Sequence, residues 1–205
     1  MKKFISFFLL SFLLFGCAFA AEEPITAPNA PAQPAPVSAP TKVILLISEQ
    51  NIEGPQRAWW ASQIDLSTSE ATITRRLIEQ GYEVLDASVL STVIKQKPAF
   101  QVVEVSDEVS FDLGVASGTQ YVIAGKAVAT AGGNVPQSEM VSCFANITAK
   151  VIRVSDRKIV QYVDASGSSI HMDVITGGRE ALAKASEALA QKIVEALNRD
   201  KQGGN

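Results

Sequence analysis

The chain has 205 residues, with 21 acidic and 18 basic side chains, one histidine and two cysteines. That length suits one domain with tails, and 47% hydrophobic against 19% charged residues excludes a disordered polyampholyte. A net charge of −3 argues against nucleic acid as a partner, and a single histidine excludes a histidine-rich metal site.

Met1-Lys2-Lys3 is a positive start, and Phe4 to Phe15 is almost wholly apolar. This run is too short to span a bilayer and suits the apolar region of an export signal. Ala18-Phe19-Ala20 before Ala21-Glu22-Glu23 predicts cleavage after Ala20, so residues 1–20 form a signal peptide. Leu14-Phe15-Gly16-Cys17 offers a second reading, a lipobox with lipidation of Cys17, although Phe15 is bulkier than such boxes carry. Either reading exports the chain to the periplasm or to the periplasmic face of an outer membrane. Loss of residues 1–20 leaves 16 basic against 21 acidic side chains. No later apolar run approaches about 18 residues, so no further transmembrane span is predicted. Cys143 is left without an intramolecular disulfide partner, and stability must come from an ordinary core.

Residues 21–41 hold six of the nine prolines (Pro24, Pro28, Pro31, Pro34, Pro36 and Pro40) among Ala, Thr, Gln and Ser. This composition predicts an extended linker of roughly 50 Å that buries no core. On a lipidated Cys17 it would serve as a stalk.

A single α/β domain is expected over 42–198. The apolar run Val43–Ile47 reads as a strand buried on both faces. A polar loop from Glu49 to Asp65 holds Trp59 and Trp60. Ser67-Thr68-Ser69-Glu70 reads as a capping box. It opens a helix with Ile73, Leu77 and Ile78 on one stripe, ended by Gly81. Tyr82–Leu85 is a short strand, and Asp86 caps a second helix that stops before Pro98. Ser106 caps a third, through Val109, Leu113 and Ala116, closed by Gly118. Tyr121 to about Thr130 is a strand, and Gly132-Gly133-Asn134 a turn. Alternation from Val141 to Val151 makes the next strand, Ser155–Lys158 a hairpin turn, and Ile159 to about Ser169 the returning strand. Gly177-Gly178 precedes a closing helix with Leu182, Ala185, Leu189, Ile193 and Leu197 on one face. Residues 199–205 are expected as a disordered tail. The order β-α-β-α-α-β-β-β-α predicts an α/β sandwich: a mixed sheet with helices packed on it.

Several of these stretches resemble a family of bacterial envelope domains. They are Val43–Ile47 with Ser48-Glu49, Leu77–Asp86, and Gly118–Ala127, which matches a family pattern gly-ala-asp-tyr-val-ile-x-gly. The meander around Ser142–Ala145 and the closing Ala181–Ala185 also fit. The family includes the middle domain of the flagellar assembly protein T, the core of the curli-secretion lipoprotein and the lipoprotein activator of penicillin-binding protein. The N-terminal domain of the Tol-system β-propeller protein has a related fold. The resemblance covers roughly residues 41–198 and implies a non-enzymatic assembly or docking module. It does not extend to a secretion channel, because Gly132–Glu139 and Ser155–Lys158 are too short to extend into a membrane barrel.

The chemistry-bearing residues are few. His171 with Asp173 and Glu49 is the most that could serve a hydrolase, and no nucleophile elbow accompanies it. Gly118 and Gly125-Lys126 lack phosphate-loop spacing. Thr176-Gly177-Gly178-Arg179 precedes a helix whose free N–H groups could hold an anion, against the plainer reading of a turn with glycine at positive φ. Cys143 reads as a small core residue. No cofactor is expected. Adjacent indoles in an extended loop cannot both turn inward, so Trp59 and Trp60, with Arg57 and Glu53 beside them, are the expected partner-binding residues. The partners expected are envelope proteins or a second copy of the chain. The alternatives are a periplasmic ligand- or glycan-binding module and, less favoured, a hydrolase.

Overall fold

The computed structural model describes residues 39–53, 67–85, 90 and 106–203. Five strands form one open mixed sheet: β1 (Lys42–Gln50), β2 (Glu83–Leu85), β3 (Tyr121–Asn134), β4 (Val141–Arg153) and β5 (Lys158–His171), in the order β2-β1-β3-β4-β5. β1 runs parallel to both of its neighbours, whereas β3, β4 and β5 form an antiparallel meander. Three helices among the described residues pack on the sheet: α1 (Thr68–Glu79), α2 (Asp107–Ser117) and α3 (Val174–Gly203). The fold is the mixed α/β sandwich expected. The helix expected after Asp86 falls outside the described residues, apart from Leu90, which is buried.

β1 is apolar without alternation because it lies inside the sheet with helices on both sides. Val43, Leu45 and Ile47 join the larger core under α1 and α3. Ile44 and Leu46 face the other way, into a smaller cluster with Leu90, Leu113, Val122, Ala124 and Ile152 under α2. β4 alternates because only one of its faces is covered. Cys143, Ala145, Ile147, Ala149 and Val151 are buried against α3, and Phe144, Asn146 and Thr148 are exposed.

The helix ends follow their sequence signals. Ser67 Oγ accepts from Glu70 N–H at 3.1 Å, and Ser106 Oγ from Val109 N–H at 3.3 Å. Gly81 (φ 80°) and Gly118 (φ 66°) take the left-handed conformation that lets the chain turn off α1 and α2.

Three expectations are corrected. Gly132-Gly133-Asn134 is the end of β3 rather than a turn, and the turn follows at residues 135–140. A Cβ on Gly132 would stand 2.6 Å from Phe144 Cε2, so the glycine makes room for a cross-strand ring. The closing helix starts at Val174, before the glycine pair, and neither Gly177 nor Gly178 has positive φ. Instead they allow close approach: a Cβ on Gly177 would meet Cys143 Sγ at 2.6 Å, and one on Gly178 would meet Asn51 Oδ1 at 2.0 Å. Finally, the helix does not stop at 198 but runs to Gly203. Its last turns are tied down: Asp200 accepts from Tyr121 Oη at 2.8 Å and from Arg153 Nη1 at 3.0 Å, and Asn198 accepts from Tyr82 Oη at 2.7 Å.

Candidate docking face

α3 spans the inner face of the meander, but α2 covers only part of the outer face. Gly114 lets α2 settle on Val122 and Val154, where a Cβ would stand 2.6 and 2.7 Å from their methyl groups. Beyond that contact the outer residues of β4 and β5 are open to solvent. Phe144 is 46% exposed, Ile170 56% and Tyr162 70%. Phe144 pairs with Ser168, and Ile170 with Ser142, so Phe144 and Ile170 are diagonal neighbours on one face. Met140 and Met172, also exposed, lie one residue past the Val141–His171 pair that ends the ladder. Strand alternation thus sets Phe144 and Ile170 on the outer face, with Met140 and Met172 exposed just beyond the end of the ladder.

The charge there is one-sided. The sequence has no Lys or Arg between Lys126 and Lys150, or between Lys158 and Arg179, whereas Glu139 and Asp173 lie beside the exposed apolar residues. The Thr176 hydroxyl and backbone N–H both donate to the Asp173 carboxylate, holding its pKa below the ordinary range, so it is anionic at neutral pH. The flanking Lys184 ammonium is bound to the Ser168 carbonyl at 3.0 Å.

Further along the outer face lies a groove of about 410 Å³ lined by Ser48, Lys126, Thr148, Lys150, Tyr162 and Asp164 among others. Lys150 pairs with Asp107 on α2, and partial burial lowers its pKa. Ala124, Gly125, Ala149 and Val163 make much of the groove's lining apolar, and the Lys150–Asp107 ion pair stands beside it.

The expected contact loop leaves the end of β1. Trp59, Trp60 and Arg57 lie outside the described residues, as does Cys17; Glu53 is exposed at the root of the loop. Both roots are anchored. Glu49, buried at the end of β1, accepts from Ser69 N–H at 2.7 Å and Thr68 N–H at 3.2 Å, closing the loop onto the start of α1. Asn51 Nδ2 donates to Ile175 O at 3.1 Å, which ties the exit to the start of α3, three residues beyond Met172.

The residues considered for catalysis do not converge. Glu49 is occupied as a helix cap, and His171 Nδ1 accepts from Asp173 N–H at 2.9 Å in a local turn. The start of α3 holds no added anion, because the Asp173 carboxylate already occupies it. Gly125 lies within β3, where a Cβ would stand 2.5 Å from Thr148 O, so it serves strand packing. Cys143 is fully buried in the core. Among the described residues no group of three or more His, Cys, Asp or Glu could hold a metal, and no helix is long and apolar enough to cross a membrane. The exposed outer-face residues were missed in the sequence. In the sequence Phe144 is one residue of an alternating strand, and an aromatic on the polar phase of that alternation is the signal that marks it.

The sequence matches no protein-family model, and no curated protein matches it at a significant level. Solved structures give only distant likenesses. A lipoprotein from Neisseria meningitidis is 16% identical, covering 76% of this chain and 99% of its own, with a TM-score of 0.44. The LpoB C-terminal domain from Salmonella enterica is 17% identical, covering 64% and 84%, with a TM-score of 0.39. A PelC dodecamer subunit from Paraburkholderia phytofirmans is 12% identical, covering 77% and 88%, with a TM-score of 0.38. At these scores the likenesses carry no function to this chain.

Proposed function

We propose that this chain is an exported, non-enzymatic docking module of the bacterial cell envelope. Its signal (residues 1–20, or up to Cys17) directs export, its Pro-rich segment 21–41 serves as a tether, and its α/β domain binds another envelope protein. The observation that carries this reading is the apolar end of the outer face, formed by Met140, Phe144, Ile170 and Met172. An apolar patch rimmed by polar groups is the surface expected of a protein-binding site. Glu139 and Asp173 beside it are carboxylates, and the neighbouring Lys184 ammonium is bound to the Ser168 carbonyl, which favours a partner with apolar side chains flanked by Lys or Arg. Two copies meeting at this patch would bring Glu139 and Asp173 of each toward the other's. The Trp59–Trp60 loop, rooted at the same end of the sheet, would extend the contact. The resemblance to envelope assembly domains points the same way.

Photo-activatable residues at Phe144 and Met172, with a control at Gln191 on the solvent side of α3, test the reading in cells expressing the chain. The expected result is a discrete adduct with one envelope protein from positions 144 and 172, absent at 191 and weakened by Glu139→Lys. Absence of adducts at both 144 and 172 would defeat it.

The groove beside Lys150 and Tyr162 favours a second reading, binding of a periplasmic ligand or glycan. Quenching of Tyr or Trp fluorescence by muropeptides, abolished in Tyr162→Ala, would support that reading over docking.

A further inference from the structure

Among the described residues β5 is an edge strand fourteen residues long, and a long open edge invites another strand. The direction of its backbone follows from β4. Val154 N–H donates to Gln120 O at 2.9 Å, so the even-numbered backbone groups of β4 face β3 and the odd-numbered ones face β5. The β5 residues opposite even-numbered β4 positions therefore turn their N–H and C=O outward. These include Asp164 opposite Thr148, Ser166 opposite Asn146 and Ser168 opposite Phe144.

Two of these outward carbonyls are taken. Lys184 Nζ donates to Ser168 O at 3.0 Å, and Lys192 Nζ to Asp164 O at 2.6 Å. The spacing suits the task, because eight helical residues rise about 12 Å and four strand residues about 13 Å. Gly167 makes the reach possible: a Cβ there would stand 2.3 Å from Ala181 O and 2.6 Å from Ala185 N, so α3 lies directly on the strand.

We infer that the outer edge of β5 is an acceptor for the same strand of a second copy of this chain, and that Lys184 and Lys192 hold it closed. The edge is self-complementary. A two-fold antiparallel pairing centred on Ser166 joins outward backbone groups on both copies. It sets Tyr162 against Ile170 across the junction, two exposed apolar side chains, and Asp164 against Ser168, so no like charges face each other within the strands. On the helical side the same pairing brings Lys184 of one copy toward Lys192 of the other. The lysines therefore oppose pairing twice, by occupying the carbonyls and by mutual repulsion. This inference rests on the backbone of the β5 edge and shares only Ile170 with the docking patch.

The test compares the full chain, as purified from expressing cells, with Lys184→Met plus Lys192→Met, which keeps much of the stem length and removes the charge. Light scattering and amide hydrogen exchange are the readouts. The expected result is a doubling of mass relative to the parent, with exchange at Asp164, Ser166 and Ser168 slowed at least about tenfold. Adding Ser166→Pro, which removes one outward N–H, should restore the parental mass. Lys184→Ala plus Lys192→Ala provides the same comparison if the Met pair misfolds. A charge-removed variant of parental mass, a dimer that survives Ser166→Pro, or outward amides already protected in the parent would overturn the inference.

Discussion

At the residue scale, most polar groups that could suggest chemistry are occupied in holding the fold. Glu49 is the clearest case, since its carboxylate satisfies two N–H groups at the start of α1, where the helix dipole also favours a negative charge. Glu49→Gln should lower unfolding stability by about 1 kcal/mol, read as a shifted midpoint in urea denaturation with little change in slope. Gly177 is intolerant for a different reason. Gly177→Ala places a methyl group against Cys143 Sγ and should cost roughly 1–3 kcal/mol. A pairing with Cys143→Ala, which removes that sulfur, should recover part of the loss; simple additivity would contradict the packing account. The sequence made both glycines visible but not their use, because a turn glycine and a close-approach glycine look alike until the opposing atom is known.

At the scale of elements, α3 determines the most. Its alanine-rich inner stripe lets it lie close on β4 and β5, and Asp200 in its last turns is bound to Tyr121 at the start of β3 and to Arg153 at the end of β4. Burial, followed by the hydrogen bond to Asp200, raises the Tyr121 pKa to about 12. Because the folded value lies above the unfolded value, this tyrosine's contribution is intact below about pH 10 and is lost as pH rises through about 12. Stability measured against pH should fall across that interval, and Tyr121→Phe should flatten the fall while lowering stability at neutral pH. Truncation after residue 198 should destabilise the domain, since it removes Asp200 from Arg153 and Tyr121. Helix periodicity ends the apolar stripe at Leu197, so the sequence gives no sign that a charged residue three positions on is tied to the sheet. That dependence arises from partners far away in the chain.

At the scale of the molecule, the two ends of the sheet differ. One end carries the Tyr121–Asp200–Arg153 lock and the basic residues of the β4–β5 turn. The other carries exposed apolar groups, carboxylates and the roots of the Trp59–Trp60 loop. A contact made at the second end should depend on salt. Raising ionic strength from about 0.05 to 0.5 M should weaken partner crosslinking at Phe144 if basic groups flank the partner's apolar residues, and strengthened crosslinking would instead indicate a purely apolar contact. Intact mass of the exported chain should show either cleavage after Ala20 or a diacylglycerol on Cys17, and a retained signal would refute both readings. Period and capping chemistry in the sequence were sufficient for the α/β class, the burial of β1 on both faces, the alternation of β4 and the starts of α1 and α2, because each depends on neighbours within a few residues. They could not show that α2 covers only part of the outer face of β4 and β5, that Glu49 caps a helix, or that two lysines of α3 close the β5 edge. Each of these depends on which distant segments come to rest side by side, and only tertiary packing decides that.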